Sequence, residues 1–147
     1  MSVADFKLPF DVIEIQRRIP HRYPFLFLDR VTELEPFKFI KAIRNITVSD
    51  PMLQGHFPGN PIVPGVVIVE GAAQAATVLG SISKGGCSTC LFTEISSARF
   101  KRPVVPGDVL KYEVTLTKQR STFFWFHASM KVDSDEVAIA EFSAMMR

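Results

Sequence analysis

The chain has 147 residues, 47% of them hydrophobic and 22% charged, with a formal net charge of +2 and a pI near 8.6. That is one domain's length, with enough apolar material for a core without metals or disulfides, and it excludes a disordered or low-complexity protein. So small a net charge, with the basic residues scattered, argues against a nucleic-acid partner.

The N-terminal MSVADFKLPF has no basic stretch followed by an apolar core, so no secretory leader is expected and residues 1–147 are read as one cytoplasmic domain. Asp11 with Glu14 forms a variant of the capping box and opens a short helix that Pro20 ends. After the basic connection PHRYP (20–24), the aromatic and branched run 25–34 predicts a strand. A second is expected from Lys38 to Val48, with Ile40, Ala42, Ile46 and Val48 inward and Arg44 breaking the pattern. Ser49 to Pro64 follows without an element of its own. A structureless loop of that length inside a compact domain usually serves function.

Pro64 occupies a first-turn position, and Gly65 to Ile82 is apolar apart from Glu70, Gln74, Thr77 and Ser81. At about 100° per residue these four share one narrow stripe, so the helix is expected to be buried nearly all round. A membrane span is not expected, because a mid-helix carboxyl would be costly in lipid. Ser83 to Cys90 reads as a polar loop, Leu91 to Lys101 as a strand and Arg102 to Asp108 as a turn on Pro106-Gly107. Leu110, Tyr112, Val114 and Leu116 alternate with polar residues, and Phe124, Phe126, Ala128, Met130 and Val132 do the same. An Asp133-Ser134-Asp135 turn leads to a last strand, 136–145. One long helix among antiparallel strands joined by short turns gives an α+β architecture, with a sheet covering the helix. Cys87 and Cys90 make a lone C-x-x-C that His21, His56 and His127 are not spaced to complete as a zinc site, so no metal is expected and the pair reads as reduced thiols.

The chemistry concentrates between Gln54 and Ser81. His56 sits among Pro58, Pro61 and Pro64, which restrain the backbone on both sides. Glu70 on an apolar helix must be paired, protonated or used, and burial raises its pKa toward that of a proton donor near neutrality. Gln74, one turn on, can hold its rotamer. The amides of Gly65 and Val66 open the helix at the positive end of its dipole, where an oxygen gaining negative charge is stabilised. Base, oxyanion site and acid together suit removal of a proton next to a carbonyl with loss or migration of a group further along.

The strings PHRYPFLFLDRV, GHFPGNPIVPGVVIVEGAAQAA and ARFKRPVVPGD, in that order, closely resemble the 3-hydroxyacyl-[acyl-carrier-protein] dehydratases of bacterial-type fatty acid synthesis. The resemblance implies a hot-dog fold, a homodimer or a hexamer of three dimers, a tunnel for the acyl chain and no cofactor. It also implies that the histidine and glutamate of one site come from different subunits. Position by position, His56 matches the catalytic histidine, Glu70 the acid and Gly65 the glycine whose amide holds the thioester oxygen. Gly71 departs from the family's usual alanine, costing about 1 kcal/mol of helix propensity while letting something pack closer. Arg99, Lys101 and Arg102 read as a docking patch for the acidic carrier protein, as against an ordinary solvated strand end. The rivals are a bifunctional dehydratase/isomerase, which carries Asp where this chain has Glu70, a thioesterase of the same fold, and an idle acyl-binding module.

Overall fold

Two short local decisions precede the sheet. The Asp11 carboxylate accepts from the Ile13 and Glu14 amides at 3.0 and 3.3 Å and so caps helix α1 (Val12–Arg18), just after a two-residue strand β1 (Phe10–Asp11). Glu14 turns to Arg17 and Arg18 rather than back to the cap. The computed structural model describes residues 6–86 and 89–147. Within them follow β2 (Arg30–Glu35), β3 (Phe39–Asn45), a 3-10 turn (Pro51–Leu53), helix α2 (Gly65–Ser83), β4 (Cys90–Phe100), β5 (Val109–Arg120), β6 (Phe123–Val132) and β7 (Asp135–Met146).

The strands form one antiparallel sheet in the order β1-β2-β3-β5-β6-β7-β4, and α2 packs against β3, β5, β6, β7 and β4. This is the expected α+β architecture of a sheet around one long helix. The alternation read in the sequence sets which face meets the helix: Leu110, Tyr112 and Val114 are buried, as are Phe124, Phe126, Ala128, Met130 and Val132. From Val67 to Ser83 only Glu70 is not fully buried. The apolar length that could have crossed a membrane is therefore spent inside the protein.

Several expectations are corrected. The strand predicted from Phe25 begins only at Arg30, because the backbone of Phe25 and Phe27 is bonded to a helix side chain instead of a neighbouring strand. Val48, expected inward, is 65% exposed, since β3 ends at Asn45. Arg44, expected to break the inner face, lies on it: its guanidinium sits 4.7 Å from the Phe27 ring centroid and pairs with Asp50 through Nη2, so its charge has a counterion inside, while Nη1 is buried without a hydrogen-bond partner. Asp50 also caps the 3-10 turn, accepting from the Met52 amide at 2.9 Å. The segment 49–64 is thus anchored from within the core. Cys87 lies outside the described residues, and Cys90 carries a thiol at the start of β4.

β4 closes the sheet at one end and pairs with β7 alone. Leu91, Phe92, Ile95 and Phe100 along it are all exposed, as are the residues between them. An edge that long and apolar is unusual in a chain that works alone.

Gly71 shows what its missing side chain is for. A Cβ there would lie 2.1 Å from the Tyr112 hydroxyl oxygen and 2.5 Å from Cζ, so the buried phenol of β5 occupies the space an alanine would need. Gly71→Ala is expected to destabilise by about 1–3 kcal/mol through overpacking, despite better helix propensity. Adding Tyr112→Leu should recover much of the loss, and a denaturant titration in which Gly71→Ala alone is stabilising would refute the steric account.

Candidate active site

The segment carrying His56 is a small hairpin. Phe57 and Asn60 exchange backbone hydrogen bonds at 2.9 and 2.8 Å, with Gly59 at φ +72° supplying the left-handed turn, and the Ile62 amide donates to the His56 carbonyl at 2.9 Å. The His56 ring stacks on Phe57 with centroids 4.1 Å apart. Its Nδ1 lies 2.7 Å from the Ile62 carbonyl oxygen. A carbonyl can only accept, so Nδ1 carries the proton and Nε2 is left with its lone pair as a base. The Val63 amide donates to Val104 at 2.9 Å, tying the hairpin to the Pro106-Gly107 turn.

His56 opens onto a cavity of about 430 Å³ whose walls include Ile62, Gly65, Phe100, Lys101 and Arg102. At Gly65 a Cβ would meet the Phe100 ring at 2.9 Å, so the ring lies over the helix start in the space that a side chain there would need. The first helical bonds run from the Val67 and Ile68 amides to the Pro64 carbonyl, at 2.9 and 3.1 Å. The amides of Gly65 and Val66 lie ahead of them at the positive helix end, and Val66 is 78% exposed.

Glu70 is built differently. Gln74, fully buried, donates from Nε2 to the Phe25 carbonyl at 2.8 Å and to Glu70 Oε1 at 3.1 Å, while its own Oε1 accepts from the Phe27 amide at 2.8 Å. Both ends of the amide are therefore fixed and Glu70 is held from behind, as the sequence spacing implied. Burial pushes the Glu70 carboxyl above the usual carboxylate range, and the Gln74 hydrogen bond takes back part of that rise. Thr77, on the same stripe, bonds the Ala73 carbonyl of its own helix at 2.8 Å.

The structure brings His56, Gly65, Lys101 and Arg102 around one cavity. Glu70 is not in its lining. Arg99 is exposed on β4 outside the lining. Lys101 pairs with Glu136, and Arg102 lies 3.9 Å from both Asp108 and Asp135. Among the described residues no group of three or more His, Cys, Asp or Glu is placed to hold a metal ion. Two contacts escaped the sequence reading. Phe100, covering the helix start, looked like an ordinary strand residue. His21, from PHRYP, lies 3.7 Å from Glu70 Oε1 through Nε2, and no spacing rule links positions 21 and 70.

Comparison with known proteins places these features in a family. A family model described as a FabA-like domain matches residues 19–141. A protein of Neisseria meningitidis serogroup C named 3-hydroxyacyl-[acyl-carrier-protein] dehydratase FabZ is 48% identical over 138 residues, 92% of each chain. One of the same name from Rhizobium rhizogenes is 44% identical over 137 residues, 92% of this chain and 87% of the relative. Among solved structures, the dehydratase heterocomplex ApeI:P of Xenorhabdus doucetiae aligns with a TM-score of 0.81 at 17% identity, over 97% of this chain and 93% of that one, a likeness of fold. With its hot-dog sheet, its single apolar helix and identity of this extent along nearly its whole length, the chain belongs to the FabA-like family and, within it, to the 3-hydroxyacyl-[acyl-carrier-protein] dehydratases.

Proposed function

We propose that the chain dehydrates (3R)-hydroxyacyl-[acyl-carrier-protein] to the trans-2-enoyl thioester in fatty acid elongation, with His56 as base and Glu70 as acid. The observation that carries the residue roles is the presence of a histidine whose Nε2 is left basic and of a carboxyl that burial pushes above the usual carboxylate range. His56 Nε2 takes the proton from C2. The electron pair moves toward the thioester carbonyl, whose oxygen the Gly65 amide, with Val66 beside it, stabilises. As the C2–C3 double bond forms, the C3–O bond breaks and Glu70 gives its proton to the departing hydroxyl, so the products are enoyl thioester and water. Gln74 keeps Glu70 aimed throughout. The protein, acting on a soluble carrier, is placed in the cytoplasm.

The site is read as composite, with His56 and the helix start from one subunit and Glu70 from another. What supports this is that Glu70 does not line the cavity His56 opens onto, and that β4 offers a long apolar edge suited to a second copy. Three such dimers would make a hexamer. Lys101 and Arg102 at the cavity wall, with Arg99 on the adjoining strand, are read as the docking patch for the acidic carrier.

Loss of either acid–base group is expected to lower turnover by about 10²–10⁴-fold, as His56→Ala or Glu70→Gln in an enoyl-forming assay. Mixing the two inactive variants under subunit exchange should restore about a quarter of wild-type turnover, since half the dimers then hold one intact site. No recovery would place both groups in one chain. A second expectation concerns stability. A carboxyl whose pKa is raised on folding contributes fully below its unfolded value and loses that contribution as pH rises through the folded one. Glu70→Gln should therefore unfold at higher temperature than wild type at neutral pH, the difference vanishing below the ordinary carboxyl range. Thirdly, reversing charge at Arg99 and Lys101 should raise KM for carrier-linked substrate several-fold and leave kcat for a small thioester unchanged. An unchanged KM would remove the docking patch.

A further inference from the structure

His21 has a place in neither the reaction derived above nor the core. It sits in the connection between α1 and β2, one-fifth exposed, with Nε2 3.7 Å from Glu70 Oε1. Its Nδ1 is buried and has no hydrogen-bond partner. A neutral imidazole carries one proton, and the nitrogen facing a carboxyl oxygen is the one with a use for it. A second proton would have to sit on Nδ1, buried without an acceptor. Burial and the neighbouring Arg22 accordingly hold His21 below the ordinary histidine range. The other groups around the carboxyl are accounted for. Gln74 is uncharged and bonds the same Oε1 at 3.1 Å, and the Tyr112 phenol on β5, near enough to feel the Glu70 charge, stays protonated. Arg22 is committed to the carbonyls of Gln16, Ile19 and His21 at 2.7–2.8 Å.

We propose that His21 is a positioning residue for the acid: its neutral imidazole presents Nε2–H to Glu70 Oε1, so that both donors address that oxygen and the transferable proton is carried on Oε2. At 3.7 Å the contact is longer than a hydrogen bond, and such contacts tighten when substrate is bound. The choice of residue follows from the task. A lysine or arginine here would aim the carboxyl equally well but, as a fixed cation, would draw its pKa down and leave it ionised when a proton must be given. A neutral donor aims it without discharging it. This inference rests on Glu70 being the general acid.

The test is the pH dependence of turnover of carrier-linked hydroxyacyl substrate in His21→Leu, His21→Gln and His21→Lys. Because the acid must be protonated, the rate falls on the alkaline side as Glu70 ionises. His21→Lys places a permanent cation beside it and should move that limb down by about one pH unit. His21→Leu should lower kcat on the order of tenfold at unchanged KM, and His21→Gln, with a neutral N–H, should restore most of it. The limb position can be read from whatever fraction of a variant folds, so poor folding does not obscure it. An alkaline limb in His21→Lys superimposed on wild type overturns the proposal, as does wild-type kcat in His21→Leu. Glu70→Gln run alongside separates the two readings. If that variant turns over normally, the acid assignment itself is wrong. If it is inactive while the His21→Lys limb stays put, only the role of His21 falls.

Discussion

A nineteen-residue helix whose one charged side chain is a carboxyl persists in water only if something surrounds it, and the sheet is arranged to do so. Its burial fixes where the inner faces of β3, β5, β6 and β7 point and leaves the helix most open to solvent at its first turn, at Gly65 and Val66. Pro64 and the His56 hairpin deliver the chain to that point. His56 and the amides of Gly65 and Val66 thus gather at the helix mouth, while Glu70 sits about a turn and a half further in, where the dielectric is lower. The environment that the fold requires of the helix is the one that raises the proton affinity of the Glu70 carboxyl.

A buried polar amide such as Gln74 would be a liability unless every donor and acceptor were used. The connection Phe25–Phe27 uses them, giving up strand pairing to bond the amide on both sides. The same stretch carries the Phe27 ring beside Arg44, which reaches Asp50 and the turn leading to His56. The surroundings of Glu70 and of His56 are in this way braced through one irregular segment.

That segment also marks the limit of what could be read from residues alone. Periodicity located α2 to within a residue and gave the inner faces of β5 and β6, because burial on one side leaves a period-two or 3.6 signature. The stripe of Glu70 and Gln74 was legible for the same reason. The 3-10 turn at Pro51–Leu53 and the hairpin at Phe57–Asn60, by contrast, fall in a segment expected to have no element of its own, because both are set by backbone and capping bonds that leave no periodic signature. Phe25–Phe27 looked like a strand because its composition is that of one. What it does depends on a side chain nearly fifty positions away. Arg44 and His21 were opaque on the same ground, since a charge inside or an imidazole beside a carboxyl is explained only by partners brought in by folding.

The close contact of Gly71 with Tyr112 bears on how the sequence can drift. The two positions are forty-one residues apart yet share one volume. A lineage holding this pair reaches an alanine at 71 without passing through a crowded intermediate only if position 112 shrinks first. The reverse order passes through a crowded, less stable form, and each residue in effect keeps the other's history.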